Sequence, residues 1–266
     1  MRLIQHKREA FWFYRFLSMW YDRWVNPLFW TTAMRGVALE EARLEPGLKV
    51  VDVGAGTGFT TEGIVARAQA GDVTMLDQSP HQLKRSRAKP ALESCRRVLG
   101  DAEALPFADD TFDRYVSAGS IEYWPDPLRG IAEAYRVTRP DGVALIIGPV
   151  RPANRVARWL AETWMLFPPE EDYRRWMTEA GFTDVRLREL APDWYRNPRV
   201  PYALAVSGVK PAGGPSPAVL EAVAEEPPSG RLRFLARFVA GSAAGAAFIP
   251  IAAVATLRAR REGRRA

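Results

Sequence analysis

The sequence predicts an α/β fold in which a mostly parallel sheet is covered by helices on both faces. Apolar strand-like segments alternate with amphipathic helical segments, and the connections between them are short, which is typical of βαβ units. Five strands are predicted at residues 49–53, 72–77, 96–99, 113–117 and 143–147, and segments 184–189 and 204–210 are candidates for a terminal hairpin.

Local signals mark the helices between these strands. Ser79 stands before Pro80 as a helix N-cap, and Gly181 follows the end of a later helix. Ile131, Ala134 and Tyr135 recur at the spacing of one helix face. We therefore expect these three side chains to face the core.

Length and composition favour one globular domain with short extensions. The chain has 266 residues, 47% of them hydrophobic, which is enough to bury one sizeable core. Its formal charge of +6 favours an anionic partner, nucleic acid or lipid, and arginines are concentrated near the C-terminus. The single cysteine, Cys95, excludes an internal disulfide. Because the only histidines are His6 and His81, no zinc-ligand spacing is present and no structural metal is predicted.

The stretch VVDVGAGTGFTT at residues 50–61 carries the strongest functional signal. A strand containing Asp52 leads into Gly54, Gly56 and Gly58, which permit a sharp turn and let a ligand lie against backbone amides at a helix start. Asp77 closes the next strand, where a carboxylate accepts hydrogen bonds from ribose hydroxyls. The pattern predicts a nucleoside-cofactor site. The alternative is a plain βα turn with ordinary strand-end aspartates and no ligand.

The glycine spacing separates two cofactor classes. Dinucleotide-binding loops place their third glycine one position later than Gly58. The pattern GxGxG after an acidic residue resembles S-adenosylmethionine-dependent methyltransferases, and GDAEALPF at residues 100–107 is similar to a further segment of that family. The resemblance implies S-adenosylmethionine as cofactor, with Asp101 beside the adenine amino group and Ala102 against the ring. The predicted cofactor-binding residues are Asp52, Gly54, Ala55, Gly56, Gly58, Asp77, Gln78, Asp101, Ala102, Ser117 and Ala118.

A longer set of motifs narrows the resemblance. DVGAGTGFTTEGIV, LDQSPHQL, GDAEALPF, SAGSIEYWPDP, GPV, WMLFPPEEDY and AVSGVKP together closely resemble the plastid methyl-phytyl and methyl-solanesyl benzoquinol methyltransferases, from about residue 11 to the C-terminal apolar segment. The resemblance implies a Rossmann-like, seven-stranded class I methyltransferase sheet with an antiparallel last strand. It also implies C-methylation of a prenylated quinol in tocopherol and plastoquinone synthesis, at a membrane. The chain lacks a plant transit peptide, so a processed form and a prokaryotic relative are both open, as is the exact quinol.

The catalytic candidates follow the fourth strand, in SIEYW. Ligands in open parallel sheets lie at the carboxyl ends of the strands, which places Ser117, Glu122 and Tyr123 at the reactive end of the cofactor. A quinol ring becomes a better carbon nucleophile as its hydroxyl loses a proton, so Glu122 is the first candidate acceptor and His81 the second. The alternatives are a turn-orienting role for Glu122 and a surface role for His81.

The chain divides into four predicted units. These are an aromatic, amphipathic helical segment at 1–35, the methyltransferase domain at 36–210, a linker rich in Pro and Gly at 211–230, and an apolar helix with an arginine-rich tail at 231–266. Residues 238–257 carry no charge and are long enough to cross a bilayer, although Pro250 leaves an interfacial or core helix open. Gly241 and Gly245 suit helix pairing but recur by chance in such a segment, so the oligomeric state stays open.

These features predict association with membrane lipid, with the catalytic domain on the cytoplasmic side or, in a processed plant-type form, at the plastid inner membrane. Trp164, Met165 and Phe167 are candidates for a prenyl channel, with core packing as the alternative. Adjacent Glu170 and Glu171 point apart on a helix and are expected to act at its first turn instead of as a catalytic pair.

Three other functions remain open at this point. They are methylation of another lipid (a naphthoquinol, sterol or phospholipid), a membrane-tethered binding protein without turnover, and nucleic-acid methylation. The last is disfavoured, since no basic groove with interleaved aromatics occurs within the predicted domain.

Overall fold

The computed structural model describes residues 29–195, 197, 199–220 and isolated positions between 235 and 254. Its centre is one seven-stranded sheet in the order β3-β2-β1-β4-β5-β7-β6. Strand β7 runs antiparallel to β5 and β6, and the other neighbours are parallel. The strands are β1 Val50–Val53, β2 Val73–Asp77, β3 Arg96–Leu99, β4 Phe112–Ala118, β5 Thr138–Pro149, β6 Thr183–Leu190 and β7 Ala203–Val209.

All seven predicted strands are confirmed, including the terminal hairpin and the antiparallel strand. Strand β5 is longer than predicted, because its first residue, Thr138, already pairs with Phe112 ahead of a register shift in β4. The sequence pattern places the strand start at Val143 because Pro140, Asp141 and Gly142 are poor strand formers.

Helices cover both faces of the sheet. The N-cap prediction is confirmed, since the Ser79 hydroxyl accepts a hydrogen bond from the Gln82 amide at 3.4 Å. The predicted inward face of the helix that follows β4 is also confirmed: Ile131, Ala134 and Tyr135 are buried. The helices are α1 Thr32–Glu40, α2 Phe59–Val65, α3 Pro80–Ser86, α4 Pro127–Val137, α5 Arg155–Trp164 and α6 Glu170–Glu179.

Two hydrophobic clusters lie on opposite faces of the sheet. Because side chains alternate along a strand, Val51 belongs to one cluster and its neighbour Val50 to the other. The same division separates Tyr115 from Val116 in β4. Burial on both faces fixes the register of the central strands and hence the positions of the loops at their carboxyl ends.

The chain packs against this core beyond both predicted domain boundaries. Helix α1 buries Met34, and after β7 the ammonium group of the fully buried Lys210 donates to Asp110 at 2.6 Å and to the Gly214 carbonyl at 2.8 Å. The Ser216 hydroxyl donates to a carbonyl at the end of α6. The first residues of the predicted linker are therefore part of the folded domain.

The predicted N-terminal aromatic helix falls mostly on residues 1–28, and the predicted C-terminal apolar helix on 238–257. Except for Phe29, Trp30 and a few isolated positions, these segments lie outside the described residues. Within the described part of the chain, no helix combines the length and apolar character that a membrane crossing requires.

Candidate functional site

A cavity of about 400 Å³ opens at the carboxyl ends of the central strands. Strands β2 and β4 flank β1 on either side, so the order along the sheet reverses there, and in open α/β sheets this crevice is where ligands bind. One end of the cavity is lined by the loops after β1, β2 and β3, and the other by apolar and aromatic side chains from later segments.

The loop after β1 brings backbone close to the cavity. Gly54 and Gly56 have positive φ angles of 72° and 56° and line the cavity together with Ala55. A Cβ on Gly54 would lie 2.3 Å from the Ser120 hydroxyl oxygen. Glycine is therefore required at position 54 both by the backbone conformation and by the contact with the loop after β4.

Asp77 stands at the end of β2 and also lines the cavity. Its Oδ2 accepts a hydrogen bond from the Gly56 amide and its Oδ1 one from the Ser79 amide, each at 2.8 Å. Burial raises its pKa to about 6, and these two bonds limit the rise. Because a carboxylate oxygen has more than one lone pair, each can still accept a ligand hydroxyl. Gln78 lines the cavity beside it.

The sequence did not single out Gln82, which lines the same end of the cavity. Its side chain is buried, yet its amide oxygen accepts no hydrogen bond from any residue that the structure describes. A buried polar atom without a partner is uncommon and is satisfied when a donor on a ligand reaches it. The sequence feature that could have identified Gln82 is its position in the first turn of α3, five residues after Asp77.

The loop after β3 supplies the remaining predicted contacts at this end. Asp101 and Ala102 line the cavity, and Asp101 Oδ1 accepts a hydrogen bond from the Glu103 amide at 3.0 Å. Ala118, at the end of β4, lines it as well.

Three predicted cofactor residues lie outside the cavity lining. Asp52 is buried, and its Oδ2 accepts a hydrogen bond from the Thr61 hydroxyl at 2.6 Å. Burial raises its pKa to about 7. Gly58 is the N-cap of α2 and faces Leu92, and Ser117 is buried within β4. The structure therefore places these residues in support of the loops, since Asp52 and Ser117 are buried in the core and the backbone of Gly58 packs closely against Leu92.

Glu122 and Tyr123 lie in a short 3-10 turn, Ile121–Tyr123, and both line the cavity. Glu122 is 6% exposed, and within the described part of the chain no group donates a hydrogen bond to its Oε2. Burial raises its pKa to about 8, and only its own backbone N–H acts against this rise. A carboxyl group in this state can exchange a proton near neutral pH.

His81, the second predicted acceptor, is exposed on α3 and is absent from the cavity lining. It stands one residue before the inward-facing Gln82, so the helix directs the two side chains apart. The structure does not bring it to Glu122 or Tyr123.

An aromatic cluster that the sequence did not predict forms the far wall. The Trp194 ring lies edge-on to Phe29, Tyr195 and Tyr202, with centroid separations of 6.1, 6.1 and 5.5 Å. All four side chains line the cavity. Three of these residues lie in DWYRNPRVPY, the aromatic and proline-rich connection between β6 and β7. Because this connection has neither strand nor helix periodicity, its sequence did not predict which side chains face a cavity.

The candidates for a prenyl channel are divided. Met165 and Phe167 line the apolar end of the cavity, whereas the side chain of Trp164 lies outside the description. Glu170 and Glu171 occupy the first turn of α6, away from the cavity lining.

Comparison with known proteins identifies the family. Residues 51–146 match the model of the methyltransferase domain. The chain is 54% identical over 257 residues to the chloroplastic 2-methyl-6-phytyl-1,4-hydroquinone methyltransferase of Arabidopsis thaliana, which covers 94% of this chain and 76% of the relative. It is 56% identical over 247 residues to methyltransferase 1 of the same name from Oryza sativa subsp. japonica, covering 91% and 75%.

A solved structure agrees in fold. Geranyl diphosphate C-methyltransferase from Streptomyces coelicolor A3(2), in complex with S-adenosyl-L-homocysteine, superposes with a TM-score of 0.57 at 15% identity and covers 68% of this chain and 77% of that one. The prediction of a methyltransferase that uses S-adenosylmethionine is confirmed. The chain belongs to the family of the 2-methyl-6-phytyl-1,4-hydroquinone methyltransferases.

Proposed function

We propose that this protein transfers the methyl group of S-adenosylmethionine to a ring carbon of a prenylated benzoquinol. The observation that carries the proposal is the identity of 54% and 56% to hydroquinone methyltransferases along more than nine-tenths of the chain. At this identity and coverage the relatives share the fold of this chain.

The residues of the polar end fit the cofactor. The positive φ angles of Gly54 and Gly56 open the loop, Asp77 offers two held carboxylate oxygens, and the orphaned amide oxygen of Gln82 offers an acceptor. Asp101 is positioned for the adenine end. When bound, S-adenosylmethionine supplies an activated methyl group, so the protein has chiefly to align the acceptor.

Glu122 is the residue that we assign to proton transfer. Glu122 lines the cavity, and its Oε2 is a buried atom that accepts no hydrogen bond from the described residues. As Oε2 takes the proton of a quinol hydroxyl, electron density moves from that oxygen into the ring and strengthens the attacking ring carbon. The new carbon–carbon bond forms as the methyl–sulfur bond breaks; the ring carbon then loses its own proton to solvent, which restores the aromatic ring, and Glu122 returns its proton to the quinol oxygen. Tyr123 lines the cavity beside Glu122 and helps to place the ring.

The apolar end suits the remainder of such a substrate. Met165, Phe167, Trp194 and Tyr202 present a surface on which an aromatic ring and a prenyl tail bury apolar area. The same side chains exclude water, so a charge on Glu122 is poorly solvated and the carboxyl readily takes up a proton.

We further propose that segments at both ends of the chain hold the enzyme at a membrane. The aromatic N-terminal segment suits a bilayer interface, and uncharged residues 238–257 suit insertion, flanked by arginines that attract anionic headgroups. In this arrangement the methyltransferase domain lies on the cytoplasmic side, or on the equivalent side of a plastid membrane.

Methyl transfer to defined quinols tests the function. The purified full chain is incubated with methyl-labelled S-adenosylmethionine and, in separate reactions, a prenylated benzoquinol, a prenylated naphthoquinol, a sterol and a phospholipid. Label incorporated into the benzoquinol ring, and reduced in a Glu122→Gln variant, supports the proposal. Label found only in a non-quinol acceptor or only in the naphthoquinol overturns it.

A further inference from the structure

Helix α5 presents an exposed apolar ridge beside the opening of the cavity. Ala161 is buried and Ala157 lines the cavity, whereas Val156 is 67% and Trp159 66% exposed. At 100° per residue, these four positions form one continuous arc around the helix. The apolar surface of the cavity therefore continues outward onto the surface of the protein.

The segments that border this opening are basic. Pro152, Ala157, Pro201 and Tyr202 all line the cavity. The described arginines of residues 150–162 and 191–202 are Arg151, Arg155, Arg158 and Arg199, and the acidic residues are Asp193 and Glu162, the latter paired with Arg151 at 3.1 Å. The described residues of these segments therefore carry net positive charge next to exposed apolar side chains.

We propose that the α5 ridge, defined as Arg155, Val156 and Trp159, docks on the anionic surface of a lipid bilayer and turns the cavity opening toward the lipid. This inference rests on the proposed function, because it supplies the route by which a membrane-dissolved quinol enters. A prenyl tail then moves from bilayer to cavity without crossing water, which removes the penalty for exposing its apolar surface.

A bilayer fits the ridge better than a protein partner does. A stable protein interface buries about 800 Å² on each side, which a ridge of two exposed apolar residues is too small to provide. Tryptophan is enriched at the level of lipid headgroups, and arginine there gains from anionic lipid. The continuity with a cavity that we assign to a lipid substrate points the same way.

A local fluorescent label tests the docking independently of activity. Val156→Cys is labelled with an environment-sensitive fluorophore in the full chain. The only native thiol, Cys95, is buried and its pKa is raised by that burial, so it reacts poorly. Val219→Cys, at a position 91% exposed, is the control.

Vesicles of phosphatidylglycerol and phosphatidylcholine should shift the emission of the label at position 156 to the blue and allow quenching by lipid-attached quenchers. The control label should change little. If the protein sediments with the vesicles while the label at position 156 keeps its aqueous emission, the ridge does not dock and the proposal is overturned. The emission of the label does not depend on whether the quinol is methylated. A failure of the docking proposal can therefore be distinguished from a failure of the proposed function.

Kinetics give the second test. Arg155→Gln removes one charge near the membrane, which corresponds to about a fivefold weaker interaction with anionic vesicles. We expect KM for a vesicle-embedded prenyl quinol to rise about fivefold, with kcat for a short-chain, water-soluble quinol unchanged. Arg87→Gln, at the exposed C-cap of α3, is the matched control and should leave both values unchanged. An equal effect of both variants, or a fall in kcat for the soluble quinol, contradicts the docking role.

Discussion

Glu122 is expected to govern the pH dependence of methyl transfer. Burial raises its pKa from an ordinary value of 4.5 to about 8, a change that corresponds to about 5 kcal/mol against the ionised form. At pH 7 about a tenth of the molecules then carry the carboxylate, and at pH 9 about nine-tenths do. If the carboxylate is the acceptor, kcat should rise about tenfold across this interval.

The substitution that tests this is Glu122→Gln, which keeps the shape and removes the titration. We expect kcat to fall by about 100-fold to 10,000-fold and the rise with pH to disappear, with cofactor affinity retained. Rates are measured under saturating quinol from pH 6.5 to 9.5. Glu171→Gln, the same change on exposed α6, should behave as wild type.

The stability of the variant separates a chemical role from a structural one. Since the folded state binds the Glu122 proton more tightly than the unfolded state, wild-type stability should fall as pH rises from about 4.5 to about 8. Glu122→Gln lacks the part of this fall that Glu122 contributes, while the part due to Asp52 and Asp77 remains, and the variant should be at least as stable as wild type at pH 8. A variant that retains wild-type kcat, or that loses activity because it unfolds, would refute the assignment.

Three further outcomes follow from the described contacts. Asp77→Asn places the side-chain NH2 group against the backbone N–H of Gly56 or Ser79, and calorimetry should show the Kd for S-adenosylmethionine raised about 5- to 150-fold. In the wild type, the affinity for S-adenosylmethionine should fall as the pH drops below about 6, because Asp77 then takes up a proton. Gly47 has a φ similar to that of Gly54 but no atom close to the position of an added Cβ, so Gly47→Ala should lower the free energy of unfolding by about 1 kcal/mol. Gly54→Ala should lower it by more, because the new Cβ also meets Ser120. Lys210→Met leaves the partners of a buried ammonium unpaired and should lose about 3 kcal/mol in denaturant titration.

The cofactor end of the site was predictable because its signals are local. Gly54, Gly56 and Asp77 follow directly from strand ends, and parallel strands bring such ends to one edge. The glycine motif does not show whether a residue faces the cavity or the core. Asp52 and Gly58 were therefore predicted as cofactor-binding residues, although both face the core. A glycine pattern predicts the backbone conformation of the loop, but packing in the folded protein determines which neighbouring residues line the cavity.

The substrate end could not be predicted in this way. Its wall joins Phe29 to Trp194 and Tyr202, residues that are distant in sequence and meet only through the fold. Aromatic residues in an irregular connection have no period that distinguishes a cavity wall from surface or core. Resemblance to a known family supplied the substrate class, and the sequence singled out Met165 and Phe167, but the aromatic wall required the three-dimensional arrangement.

Asp77 and Glu122 both line the cavity and have pKa values raised by burial, but they differ in how that burial is compensated, and on this ground we assign them different roles. Asp77 receives two backbone N–H bonds from neighbouring loops, so its pKa rises only to about 6 and it stays ionised at neutral pH as a fixed acceptor. Glu122 has no comparable partners beside the aromatic end, and its pKa reaches about 8. A carboxylate that holds its charge suits ribose hydroxyls, whereas one that readily takes up a proton suits a quinol hydroxyl. In the proposed function, the cavity thus binds a charged nucleoside through Asp77 and activates a phenol through Glu122, because backbone N–H groups donate to the first carboxylate.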